Sequence, residues 1–148
     1  MLVKDCVQIA IDPGKSGGIA IRKTNGEVEA FSMPDTVHDL ADLMHRKADV
    51  VFGCTLVVLE RVHAMPTDGG SSAFSFGENF GGIQGVLAAL NIPYKFVTPQ
   101  QWQKKVGALP KEKADRKRAL KAFAQQRFPN IKVTLKTADA LAMLAVEF

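Results

Sequence analysis

The chain has 148 residues, 47% of them hydrophobic and 23% charged, with a net charge of +4. That length predicts a single domain over residues 1–148, able to bury a core without metal or disulfide staples. Disulfide-rich mini-protein, membrane protein and thiolate zinc module are excluded: apolar runs such as residues 56–59 fall far short of the roughly 20 residues of a membrane helix.

In chain order, residues 1–5 (Met-Leu-Val-Lys-Asp) lack a signal-peptide layout, which predicts a cytoplasmic protein. Residues 6–11 form a short, largely apolar run that predicts a central strand. It is followed by the turn cluster Asp12-Pro13-Gly14-Lys15-Ser16-Gly17-Gly18. Residues 18–22 and 28–33 predict two more strands, joined by a turn at Thr24-Asn25-Gly26-Glu27. Asp35 or Thr36 is placed to cap a helix whose apolar positions Val37, Leu40, Leu43 and Met44 follow a 3.6-residue period. Residues 55–60 are apolar almost throughout, as in a strand buried on both faces. Residues 61–79, rich in Gly and Ser, predict a long loop, and residues 80–90 an amphipathic helix with many small residues. A fifth strand is expected at 93–97, a strongly basic helix at 111–127 and a closing helix at 137–146. This order predicts an α/β fold with a mixed sheet, antiparallel in its first hairpins, parallel afterwards and flanked by helices on both sides. Cys6 and Cys54 sit in apolar strand-like runs at no metal-ligand spacing, which predicts two reduced, buried thiols.

Charge is unevenly distributed. Residues 1–94 hold 7 Lys/Arg against 11 Asp/Glu, and residues 95–148 hold 12 against 4. An acidic first part and a basic last third suggest a carboxylate site beside a polyanion-binding face; a solvated basic helix accounts for the same imbalance. Asp12 follows the first strand, Glu60 ends the fourth and Asp139 opens the last helix. If the first and fourth strands are parallel neighbours, Asp12 and Glu60 lie side by side. Converging carboxylates repel and need a cation, and all-oxygen ligands select Mg²⁺, with Mn²⁺ as a substitute. Such a site coordinates a phosphodiester and activates water for in-line attack. Taken singly, a turn-starting Asp12 and a first-turn Asp139 also have ordinary structural explanations.

Asp12-Pro13-Gly14 after a strand, Leu59-Glu60 ending another and Ala138-Asp139-Ala140-Leu141 on the last helix resemble the RuvC-type Holliday junction resolvases of the RNase H-like superfamily. The phage and plastid branch is the nearest in pattern. A Gly/Ser/Phe stretch follows the Glu (residues 74–82), then come Pro99-Gln100-Gln101-Trp102 and Arg127-Phe128-Pro129. The resemblance implies an RNase H-like five-stranded mixed sheet and a magnesium-dependent homodimer that nicks opposed strands of a four-way DNA junction. Asp12, Glu60 and Asp139 would be its catalytic metal ligands. The family carries a further acid a few residues before the one matching Asp139. Here that position is Lys136, so three acids suffice, or Glu147 or Asp115 substitutes, or catalysis is impaired. The family also has a catalytic-site lysine, for which Lys104, just after Trp102, is the first choice.

For DNA contacts the candidates are Lys15 and Ser16 in the first turn, Lys105, and Lys111, Lys113, Arg116, Lys117 and Lys121 of the basic helix. Phe74, Phe76 and His63 are candidate wedges or base and phosphate contacts, although the phenylalanines would equally well cover the core. The alternatives to junction resolution are another RNase H-like nuclease acting on RNA–DNA hybrids and a junction-binding protein that has lost catalysis.

Overall fold

A computed structural model describes residues 5–51, 53–63 and 67–148. The run Val-Gln-Ile-Ala-Ile-Asp alternates β-branched with other residues and forms the central strand β1 (Val7–Asp12). Strands β2 (Gly18–Arg22) and β3 (Val28–Ser32) continue antiparallel on one side of it, β4 (Thr55–Glu60) and β5 (Tyr94–Val97) parallel on the other. The sheet order is β3-β2-β1-β4-β5. This is the expected mixed sheet, with its antiparallel and parallel parts where the sequence puts them.

Alternation sorts each strand between two cores. Ile9, Ile11, Ile19, Ile21, Val57 and Leu59 face helices α1 (Val37–Lys47) and α2 (Gly70–Ala89), meeting Leu40, Met44, Ile83 and Leu87. Ala10, Ala20 and Val58 face the other way, toward α3 (Pro99–Val106), α4 (Lys113–Arg127) and α5 (Ala138–Glu147). The alanines matter there. With Ala138 and Ala142 on the helix, they bring α5 close onto β1 and β2. Gly18 takes part in the same approach: a β-carbon there would stand 2.5 Å from the Lys136 carbonyl oxygen, so the chain entering α5 rests on the start of β2. Asp12 and Glu60 share strand parity with Ala10 and Val58. They therefore lie on the face that α3, α4 and α5 cover.

Three sequence expectations are corrected. The loop expected over 61–79 gives way to helix from Gly70, because Phe76, Phe80, Ile83 and Leu87 form one continuous stripe that the glycines do not interrupt. Residues 64–66 of that expected loop, and 1–4 of the expected N-terminal segment, lie outside the described residues. Helix α3 was not expected at all. A Thr98–Gln101 capping box with Pro99 at the first helical position starts it. Cys6 and Cys54 are not reduced thiols but a disulfide. Each directly precedes one of two parallel neighbours paired Val7 to Thr55, which brings their Cα atoms to 4.7 Å. Smaller differences concern ends: Glu112 accepts hydrogen bonds from the amides of Ala114 and Asp115, so the basic helix starts at Lys113 rather than 111.

Candidate active site

Parallel pairing sets Ile11 opposite Leu59, so the next residues, Asp12 and Glu60, stand together at the C-terminal edge of the sheet. Both are buried, at 8% and 5% exposure, and their carboxyl groups are hydrogen-bonded to each other. Glu60 also accepts a hydrogen bond from the indole Nε1 of fully buried Trp102 on α3. Asp139 arrives from the first turn of α5. The preceding segment is fixed by Thr137 Oγ1, which accepts from the Thr134 amide at 3.1 Å, and by the Ala138 amide, which donates to the Thr134 carbonyl at 3.0 Å. Oδ1 of Asp139 is enclosed and meets the Lys117 ammonium at 3.0 Å. Lys117 belongs to the same stripe of α4 that buries Leu120 and Ala124, and so it points at the sheet edge.

The electrostatics follow from that crowding. Burial, then repulsion from Glu60 and Asp139, holds Asp12 well above the ordinary carboxylate range. Glu60 is pushed up to about 7, mainly by burial, against the opposing pull of the Trp102 N–H and of Lys117. The contact between the two acids raises Asp12 and lowers Glu60, so the pair resists losing both of its protons. A groove of about 670 Å³ opens onto Asp12 and Asp139; the 12–17 turn, Val62, Ser72, Phe76, Lys113 and Lys117 line it. A second, about 750 Å³, continues past Asp139 beside Gln103, Arg116 and Lys136.

Among the described residues, no three His, Cys, Asp or Glu side chains stand ready at metal-coordinating geometry. The donors are nonetheless of the right chemistry for a hard divalent cation: three carboxylates, two of them buried side by side and held above the ordinary carboxylate range. Here the Lys117 ammonium, against Asp139, compensates part of their charge.

No protein-family model matches the chain, and no curated protein matches it in sequence. Solved structures do match. Thermus thermophilus RuvC in complex with Holliday junction substrate superposes with a TM-score of 0.64 at 15% identity, over 95% of this chain and 91% of that one. A second Thermus thermophilus RuvC structure gives 0.58 at 17% identity, over 95% and 92%. The fold is RuvC-type. It is an RNase H-like fold, as the motif order implied, and identity this low speaks for the fold alone.

On this RuvC-type frame the sequence candidates fall into groups. Asp12, Glu60 and Asp139 come together. Lys15 and Ser16 are exposed on the groove rim and Phe76 lines its wall, stacked on Phe80 with ring centroids 6.0 Å apart. Phe74 is exposed at 69%, and His63 is exposed beyond β4. Lys113, Arg116 and Lys117 line the grooves, whereas Lys111 is exposed just before α4 and Lys121 is exposed along it. Lys104 is exposed on α3, and the ammonium that meets the acids is that of Lys117. Lys105 pairs with Glu147 at 2.9 Å, and Asp115 with Arg118 at 3.2 Å, so neither Glu147 nor Asp115 is engaged with the three acids. Sequence reasoning missed the Trp102–Glu60 contact. The clue was a lone tryptophan in a polar stretch, whose N–H needs a partner once the ring is buried.

Proposed function

We propose that the chain is a metal-dependent, structure-selective endodeoxyribonuclease that resolves four-way DNA junctions as a homodimer. The convergence of Asp12, Glu60 and Asp139 under a lysine-bearing helix carries this reading. Its frame is the fold of a RuvC structure complexed with Holliday junction substrate. Asp12, Glu60 and Asp139 would hold Mg²⁺ or Mn²⁺, which when bound neutralises phosphodiester charge and makes water a better nucleophile. The protein's own residues do the rest. Trp102 holds one Glu60 oxygen and so orients the other. Lys113 and Lys117, one turn apart on α4, offer charge to a phosphate entering the groove. Lys15 and Ser16 border the same opening, and Phe74 offers an exposed ring for stacking on an unpaired base. The homodimer is supported by Gly77, Gly81 and Gly85, a bare stripe along α2 with nothing within 4 Å of any β-carbon position.

Cleavage and binding of a four-way junction by the parent chain and by Asp12→Asn test the proposal. The parent is expected to cut the junction in preference to linear duplex or RNA–DNA hybrid. The variant should bind it and leave it intact. Loss of both properties in Asp12→Asn, or preference for the hybrid, overturns it. A parent that binds without cutting points to the non-catalytic reading, for which Lys136 beside Asp139 is the observation in favour.

A further inference from the structure

Asp139 already has a cation. The Lys117 ammonium stands 3.0 Å from its enclosed Oδ1, and Lys117 also favours ionisation of Asp12 and Glu60. A divalent ion among the same carboxylates would do the same work in nearly the same place. Two cations that each compensate one acid cluster compete, because each is worth less once the other is present. Lys117 is also not sealed in. Its side chain is 33% exposed, on the groove wall one helical turn from Lys113. Two ammonium groups on one helix face repel each other, and a phosphate relieves that repulsion.

We infer that Lys117 is a positioning residue that occupies Asp139 while the groove holds no nucleic acid. A phosphate docking at α4 draws it off and opens the acid cluster to divalent metal. Metal loading and nucleic-acid binding are then coupled through one side chain. Coupling is reciprocal, so metal strengthens nucleic-acid binding by the factor by which nucleic acid strengthens metal binding. The inference rests on the nuclease reading above, since it takes Asp12, Glu60 and Asp139 as metal ligands. It differs from that reading in what happens before any bond is cut.

The test is Mn²⁺ binding by calorimetry in the absence of DNA, with thermal unfolding as the check on folding. Lys117→Met is expected to bind Mn²⁺ about tenfold more tightly than the parent, within the usual range for coupled sites. Lys117→Arg, which keeps a cation beside Asp139, should stay near the parent. Lys113→Met removes an equal charge one turn away and should change Mn²⁺ affinity less than Lys117→Met does. Equal or weaker Mn²⁺ binding by Lys117→Met, with parental binding that Asp12→Asn abolishes, overturns the inference and leaves the nuclease reading standing. Equal tightening by Lys113→Met also overturns it, reducing the effect to general charge. If neither the parent nor Lys117→Met binds Mn²⁺ in an Asp12-dependent way, the metal-site reading fails and the inference with it.

Discussion

Glu60 is the residue whose protonation has the clearest consequence for the protein as a whole. Its ordinary value of 4.5 is pushed up to about 7 in the folded protein, and Asp12 shifts in the same direction. Between those values the folded state binds more protons than the unfolded chain does, so folding stability must fall as pH rises through that window. The contribution is present in full below about 4.5 and is lost by about 7, with roughly 3 kcal/mol as its ceiling. Metal-free protein is therefore expected to melt at a lower temperature at pH 7 than at pH 5, and Glu60→Gln, which cannot ionise, should flatten the trend. Trp102→Phe removes the N–H that stabilises the charged form and should extend the decline to higher pH. It should also cost about 2 kcal/mol for the lost hydrogen bond to a buried carboxylate. A melting temperature that rises across this window in metal-free parent protein contradicts the burial argument for both acids.

At the scale of elements, the parts of the fold that read directly from sequence are those set by alternation. In β1 and β4 the parity that sends Ile11 and Leu59 to one core sends Asp12 and Glu60 to the other face, so the pairing of the acids needed only adjacent parallel strands. Elements governed by a signal at their ends, or by glycine composition, were harder to read. The first turns of α2 carry glycine and serine, poor helix formers, and the burial of Ile83, Val86 and Leu87 along the same helix overrides that preference. The Thr98 capping box was present in the sequence, but α3 spans only Pro99–Val106, too short for periodicity to show. The role of Lys117 depends on how α4 lies across α5, which nothing local in the sequence encodes. The Cys6–Cys54 link likewise depends on β1 and β4 being neighbours. It closes a separation of 48 residues, which in the chain-entropy limit is worth about 4 kcal/mol. Dithiothreitol should lower the melting temperature of the parent and leave that of a Cys6→Ser/Cys54→Ser double variant unmoved. Equal melting of oxidised and reduced parent protein would show that the link contributes nothing to folding.

For the molecule as a whole, the separation of charge would let an acidic site accept the polyanion of the proposed function. The first 94 residues carry a net negative charge and the rest a net positive one, and α4 brings part of that positive excess to the rim of the acid cluster. Phosphate held along α4 releases counterions, so junction affinity should fall steeply with salt, by a slope of about 0.9 for each phosphate neutralised. The cations are not equivalent. Lys113 lines the groove and Lys121 is exposed further along the helix, whereas Lys105 is already paired with Glu147 at 2.9 Å. Replacing Lys113 or Lys121 by alanine should therefore reduce the slope of log affinity against log salt by about one each. Lys105→Ala should reduce it by less, because its charge is partly spent on Glu147 before DNA arrives. Equilibrium binding of a four-way junction across a salt series reads all three slopes. If Lys113→Ala and Lys121→Ala keep the parental slope, α4 does not contact phosphate, and the basic charge of the last third serves solubility instead.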